Sequence, residues 1–138
     1  MIPKGNWKWV HAFLGCNWLV NGVWMAVWPA HWFDHMPQAP QTGPLNEHFI
    51  RDYGSVFLLI GAAVLVTIAR GTFTRGKHLW VLWFFVAHAA LHVLDMLAGR
   101  LGHDHLTSGF LLVLIPVVIL SGLLYPAVWE ERAERSQV

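Results

Sequence analysis

Two pairs at helical spacing hold most of the chemistry this chain can support: His48 with Asp52, and His88 with His92, the latter followed by Asp95. Residues four apart share one face of a helix, so each pair presents two polar groups in one direction. Neutral imidazole ligates Cu, Fe or Zn, and a carboxylate supplies charge balance or steadies a ligating imidazole through its remaining N–H. Further groups of the same kind are His31 and His35, and His103, Asp104 and His105. These complete such a site, form another, or are simply solvated, as His-x-His in a loop often is. Arg51 offers a competing use of the same residues. If it pairs with Asp52 or Asp95, the imidazoles bridge helices as a polar network and need no metal.

The motifs that are missing narrow the reaction. There is no His-Glu-x-x-His, so metalloprotease chemistry has no support, and no Ser/His/Asp or Cys/His nucleophile arrangement stands out. Metal-assisted or redox chemistry stays open, and whether the chain is an enzyme is left undecided. A net charge of +1 with no long basic run argues against a nucleic-acid partner.

The elements that must hold these residues live in lipid. Hydrophobic residues make up 56% of the 138 and charged residues 12%, far from the balance of a soluble domain. Apolar stretches run over about 10–28, 53–69, 79–98 and 106–128, each roughly the length an α-helix needs to cross a ~30 Å hydrocarbon core. The expected fold is therefore all-α: a single four-helix transmembrane domain over residues 1–138. Lys4 and Lys8 ahead of an apolar run resemble a secretory leader, but Asn17 and Asn21 interrupt that run and no A-x-A site follows, so a retained first helix is expected.

Basic residues set the expected orientation. Lys4, Lys8, Arg70, Arg75, Lys77, Arg132 and Arg135 lie at one side, whereas the connection from Ala30 to Glu47 has no Lys or Arg and the third connection has only Arg100. The positive-inside rule then puts both termini in the cytoplasm and the His-rich connections outside. On this topology His48, Asp52, His88, His92 and Asp95 share the outer half of the second and third spans. Trp7, Trp9, Trp80, Trp83 and Trp129 mark the inner interface and Trp28 and Trp32 the outer one.

Local signals fill in the frame. Pro37, Pro40, Gly43 and Pro44 favour extended or turn structure over helix in the first connection, which is long enough to fold back as a cap over the bundle. Asn46 is placed to cap a helix that starts at Glu47, and Asp104 or Thr107 to cap the fourth. Pro116 is expected to bend that helix and Pro126 to mark where it frays. Gly54 and Gly61, with Ala62 and Ala63, form a close-packing seam, and Asn17 and Asn21 are expected to hydrogen-bond across helices. Cys16 reads as a small buried hydrophobe. His11 and His78 read as headgroup contacts at the inner interface, outside the candidate site.

Arg51–Asp52–Tyr53–Gly54 followed by Gly61–Ala62–Ala63, within a four-span layout of this size, resembles the small uncharacterised bacterial membrane proteins of the DoxX-like type. The resemblance covers the layout of the whole chain but only these residues by motif. It implies a compact four-helix bundle in a bacterial cytoplasmic membrane, with redox or quinone-linked partners in some cases. His88, His92 and Asp95 stand outside its pattern.

The functional expectation is a small integral membrane protein with a His/Asp-rich site near the outer face. There His48, Asp52, His88, His92 and Asp95 bind a transition metal ion (Cu, Fe or Zn) for redox chemistry or metal handling. Haem needs axial imidazoles from facing helices, such as His48 opposite His88 or His92, and ranks behind a metal ion. The alternative is a non-catalytic accessory subunit of a larger membrane complex, or a homo-oligomer, in which the cluster is a structural polar network. Transport has less support, because no inverted repeat or paired broken helices appear.

Overall fold

Among the described residues, three helices are long and apolar enough to cross a membrane: α1 (Trp7–Val27), α3 (Glu47–Ala69) and α4 (Arg75–Leu97). Between the first two lies a short helix, α2 (Pro29–His35), and α5 (His105–Gly122) follows α4. The computed structural model describes residues 1–37, 39–100 and 105–131, with backbone alone for 41 and 105–112. His103 and Asp104 lie outside the described residues, and His105 is described by its backbone only. The chain is thus mostly helical, with one addition to the all-α expectation. Two-residue strands β1 (Ile2–Pro3) and β2 (Trp129–Glu130) pair antiparallel, Ile2 opposite Glu130 and Pro3 opposite Trp129.

Each long helix buries one narrow stripe at alternating spacings of three and four. On α1 it is His11, Gly15, Trp18, Gly22 and Met25, and on α3 Ile50, Gly54, Phe57, Gly61 and Val64. On α4 the buried stripe is His78, Leu82, Phe85 and Ala89. That spacing keeps one seam facing its neighbour while many large apolar residues, such as Phe13, Leu59 and Leu91, stay exposed, the pattern of a bundle solvated by hydrocarbon.

The α1–α3 seam is backbone against backbone. A Cβ on Gly22 would sit 2.6 Å from the Leu58 nitrogen, and one on Gly61 2.6 Å from the Leu19 nitrogen. The expected Gly54/Gly61 seam is therefore present, and its counterpart on α1 is Gly15 and Gly22, running antiparallel to it. Above the seam Trp18 packs on Phe85, with ring centres 5.0 Å apart, and Phe57 meets Phe84 and Phe85 edge-on, which brings α4 against the pair.

The connection after α1 departs from the extended reading. Pro29 occupies the first turn of α2, where its missing N–H is no loss. The Trp32 indole donates to the Asn21 side-chain oxygen at 2.9 Å, and the Trp24 indole donates to His31 Nδ1 at 2.9 Å. These bonds fold α2 back along the end of α1. Asn21 thus bonds to α2 and not to another long helix, while Asn17 is exposed. Further on, the Asn46 side chain accepts from the Phe49 N–H at 3.1 Å and caps α3, as its position in the sequence suggests. Thr107 lies inside α5, which already begins at His105.

Cys16 is exposed, contrary to the buried reading. The buried stripe of α1 passes through Gly15 and Trp18, and at 100° per residue position 16 falls on the far side of the helix. A hydrocarbon solvent gives a thiol there an apolar setting without burial in protein.

Candidate functional site

The α3–α4 contact near the α2 end of the bundle is built on Tyr53, His88 and His92. Tyr53 flanks the α3 stripe, and its hydroxyl lies 3.2 Å from the ring nitrogens of His88. His88 stacks parallel on Phe84 one turn earlier, with an interplanar angle of 6°. His92 sits one turn later on α4, its ring 4.7 Å from that of His88 and nearly perpendicular to it. Phe84 therefore lies against one side of His88 and the phenol against another, which restricts the imidazole to few orientations.

His48 and Asp52 do not join this group. They face each other at 3.4 Å along the first turns of α3, but their side chains are 88% and 66% exposed. Helix geometry gives the reason. Both lie roughly 160° round α3 from its buried stripe, whereas Tyr53 lies roughly 60° from it, so the second span offers α4 a phenol where the spacing argument expects an imidazole and a carboxylate. The shared pocket of three imidazoles and two carboxylates is accordingly not formed.

The carboxylates and the guanidinium are engaged locally. Arg51 donates to Glu47 at 2.9 Å, one turn back on the same helix, and not to Asp52 or Asp95. Asp95 accepts from Arg100 at 3.0 Å, just past the end of α4, where Gly99 with φ of 66° turns the chain back. Ser55 donates to the Asp52 backbone carbonyl at 2.6 Å. Exposed pairs of this kind add only about 0.2–1 kcal/mol each. Among the described residues, no three His, Cys, Asp or Glu side chains are grouped to hold a metal ion.

On α2 the rings of His31 and His35 stack 4.0 Å apart with an interplanar angle of 19°. His31 Nδ1 accepts the Trp24 N–H, and His35 Nδ1 donates to the His31 carbonyl at 2.8 Å. Parallel stacking directs their nitrogens side by side and not toward one point, so this pair is poorly shaped to chelate.

The opposite end holds the most buried polar groups of the described residues, and both are histidines read from sequence as headgroup contacts. His11 is 2% and His78 0% exposed. Phe73 and Trp129 close over them, Trp129 within 5.5 Å of both rings by centroid. Trp129 is itself 6% exposed, and its indole donates to the Leu123 carbonyl at 2.7 Å. It is thus not an interface indole: the β1–β2 pairing folds it into the bundle. The signal for both histidines was present in the spacing, since His11 is the first member of the α1 stripe and His78 the first of the α4 stripe.

Comparison with protein-family models, with curated proteins and with solved structures finds no match to this chain.

Proposed function

We propose that this is a small integral membrane protein whose function lies in binding a first-row transition metal ion, Cu, Fe or Zn, through His88 and His92. The observation that carries this reading is the spacing of the two rings. Imidazoles that share one ion through nitrogens about 2.0–2.1 Å from it place their ring centres roughly 5 Å apart, and those of His88 and His92 are 4.7 Å apart. One His88 nitrogen takes the ion while the other keeps its N–H for the Tyr53 oxygen, an arrangement that orients a ligating imidazole and raises its basicity. Two protein ligands leave positions open for water or a small ligand. Such a site suits metal handling or redox exchange better than a closed structural site.

The charge asymmetry supports four spans with both termini cytoplasmic, which sets His88, His92 and the α2 cap at the outer face of a bacterial inner membrane. The likeness to DoxX-like proteins agrees with that setting. A second reading keeps one specific observation: Glu47, Asp52 and Asp95 each find a partner on or next to their own helix. On that reading the polar groups are structural, and the protein is a non-catalytic subunit of a larger membrane assembly.

Elemental analysis of protein purified in mild detergent separates the two. The metal reading predicts about one Cu, Fe or Zn per chain, lost in the His88→Ala/His92→Ala double variant. Metal-free protein that does not take up Cu(II), Fe(II) or Zn(II) on titration contradicts it and favours the subunit reading.

A further inference from the structure

The buried histidine pair carries an inference independent of the metal reading. His11 Nδ1 is 2.8 Å from the Trp7 carbonyl oxygen, His11 Nε2 is 3.2 Å from His78 Nδ1, and His78 Nε2 is 2.9 Å from the Leu120 carbonyl oxygen. The two ends of this series are carbonyls, which only accept. Each of the three contacts therefore needs its own proton, and two neutral imidazoles bring only two. With two protons, one contact sets lone pair against lone pair inside a region where a polar group left unsatisfied is expensive. With three, every contact is a hydrogen bond.

We infer that His11 and His78 form one binding site for a single proton, shared along the series from the Trp7 carbonyl to the Leu120 carbonyl. A fourth proton is excluded by the same geometry, because it would point His11 Nε2–H at His78 Nδ1–H. Residues from each neighbouring element face the pair. They are Trp7 from α1, Val64 from α3, Phe73 from the α3–α4 connection, Arg75 from the first turn of α4, Leu120 from α5 and Trp129 from β2. Arg75 is a cation and opposes any positive charge on the pair, so the one proton is held by the three contacts against that repulsion. Among the described residues no carboxylate lies within ion-pair distance of either ring.

The bound proton has a structural consequence. Leu120 sits near the C-terminal end of α5, where carbonyls lose their helical partners: the Leu124 N–H bonds to Ser121 and the Leu123 N–H to Ile119. His78 supplies the missing donor, so the protonated pair clasps α5 to α4 and, through His11, to the first turn of α1. Loss of the proton releases one of these links. The device is a proton-sensitive latch at the end of the bundle where the two short strands meet.

The test is nitrogen NMR on the full ¹⁵N-labelled chain in lipid nanodiscs, with the His11 and His78 rings assigned through bonds to the backbone. Between about pH 4 and pH 9, both rings should respond in one shared step that sums to one proton. Two separate one-proton steps, a step confined to one ring, or no step in that range overturns the inference. In His11→Gln, the midpoint of His78 should move by about one pH unit or more; an unmoved midpoint also overturns it. The wild-type titration decides the matter if that variant does not fold.

Discussion

Tyr53 is the residue on which the proposed metal site turns, because it reaches His88 from another helix. Its hydroxyl spans the α3–α4 gap and lies 3.2 Å from both ring nitrogens, so it restricts the imidazole; in the proposed site one nitrogen keeps this contact and the other ligates. Tyr53→Phe should keep the fold, since the ring packing on Phe57 is retained, but weaken metal binding about tenfold, within the range expected when a group that orients a ligand is lost. Calorimetric titration with Cu(II) or Zn(II) reads the difference, and an unchanged affinity would remove Tyr53 from the site. The sequence brought attention to His88 and His92 because they are charge-bearing residues at helical spacing in an apolar run. It passed over Tyr53 because an aromatic residue in such a run looks like packing. His11 and His78 were misassigned for a related reason. They were read by their position along a span, at the inner interface, whereas their burial is set by which stripe of the helix they occupy.

The helices are held at a distance that only glycine permits. Gly61 faces the Leu19 nitrogen and the Gly15 carbonyl, and Gly22 faces Leu58 and the Gly54 carbonyl, all within 2.9 Å of an added Cβ. Gly61→Val forces α1 and α3 apart and should destabilise the bundle by about 1–3 kcal/mol, with aggregation or faster proteolysis in detergent. Gly76→Ala is the control. Its Cβ would meet only Thr74 Oγ1 at 3.8 Å, so it should be neutral or slightly stabilising. Equal loss in both variants would mean that the seam is not what sets the spacing. The Gly54/Gly61 repeat and the Asn46 cap were legible because each is a pattern of residue types within one helix and its first turn. The helical start of the first connection was not, because α2 depends on bonds from Trp24 and Asn21, a turn or more away in α1, that outweigh the turn propensity of the prolines beyond it.

At the scale of the molecule, three long apolar helices make this a membrane protein by length and composition. The β1–β2 pair ties Ile2–Pro3 to Trp129–Glu130, so both flanks of the bundle meet at one end, away from α2. On the proposed topology that end is cytoplasmic. Single cysteines placed in a Cys16→Ala background test it: Thr42→Cys should react with an impermeant maleimide in intact cells, and Tyr125→Cys, whose native residue is 69% exposed, only after the membrane is opened. The reverse pattern would invert the orientation and move His88 and His92 to the inner face. Segregation of the Lys and Arg residues made the orientation readable as an expectation. The convergence of helices two and three was not readable at the same level, because a rotation of one residue about α3 exchanges Asp52 for Tyr53 at the contact with α4.

The central claim, that His88 and His92 jointly ligate a transition metal ion, is tested most directly by electron paramagnetic resonance of the purified protein loaded with one equivalent of Cu(II). Hyperfine coupling from two imidazole nitrogens in the wild type, absent from the His88→Ala/His92→Ala variant while its helical content is unchanged, is the predicted result. A spectrum of aqueous or non-specifically bound copper, or a two-imidazole signal that survives the double substitution, would contradict it.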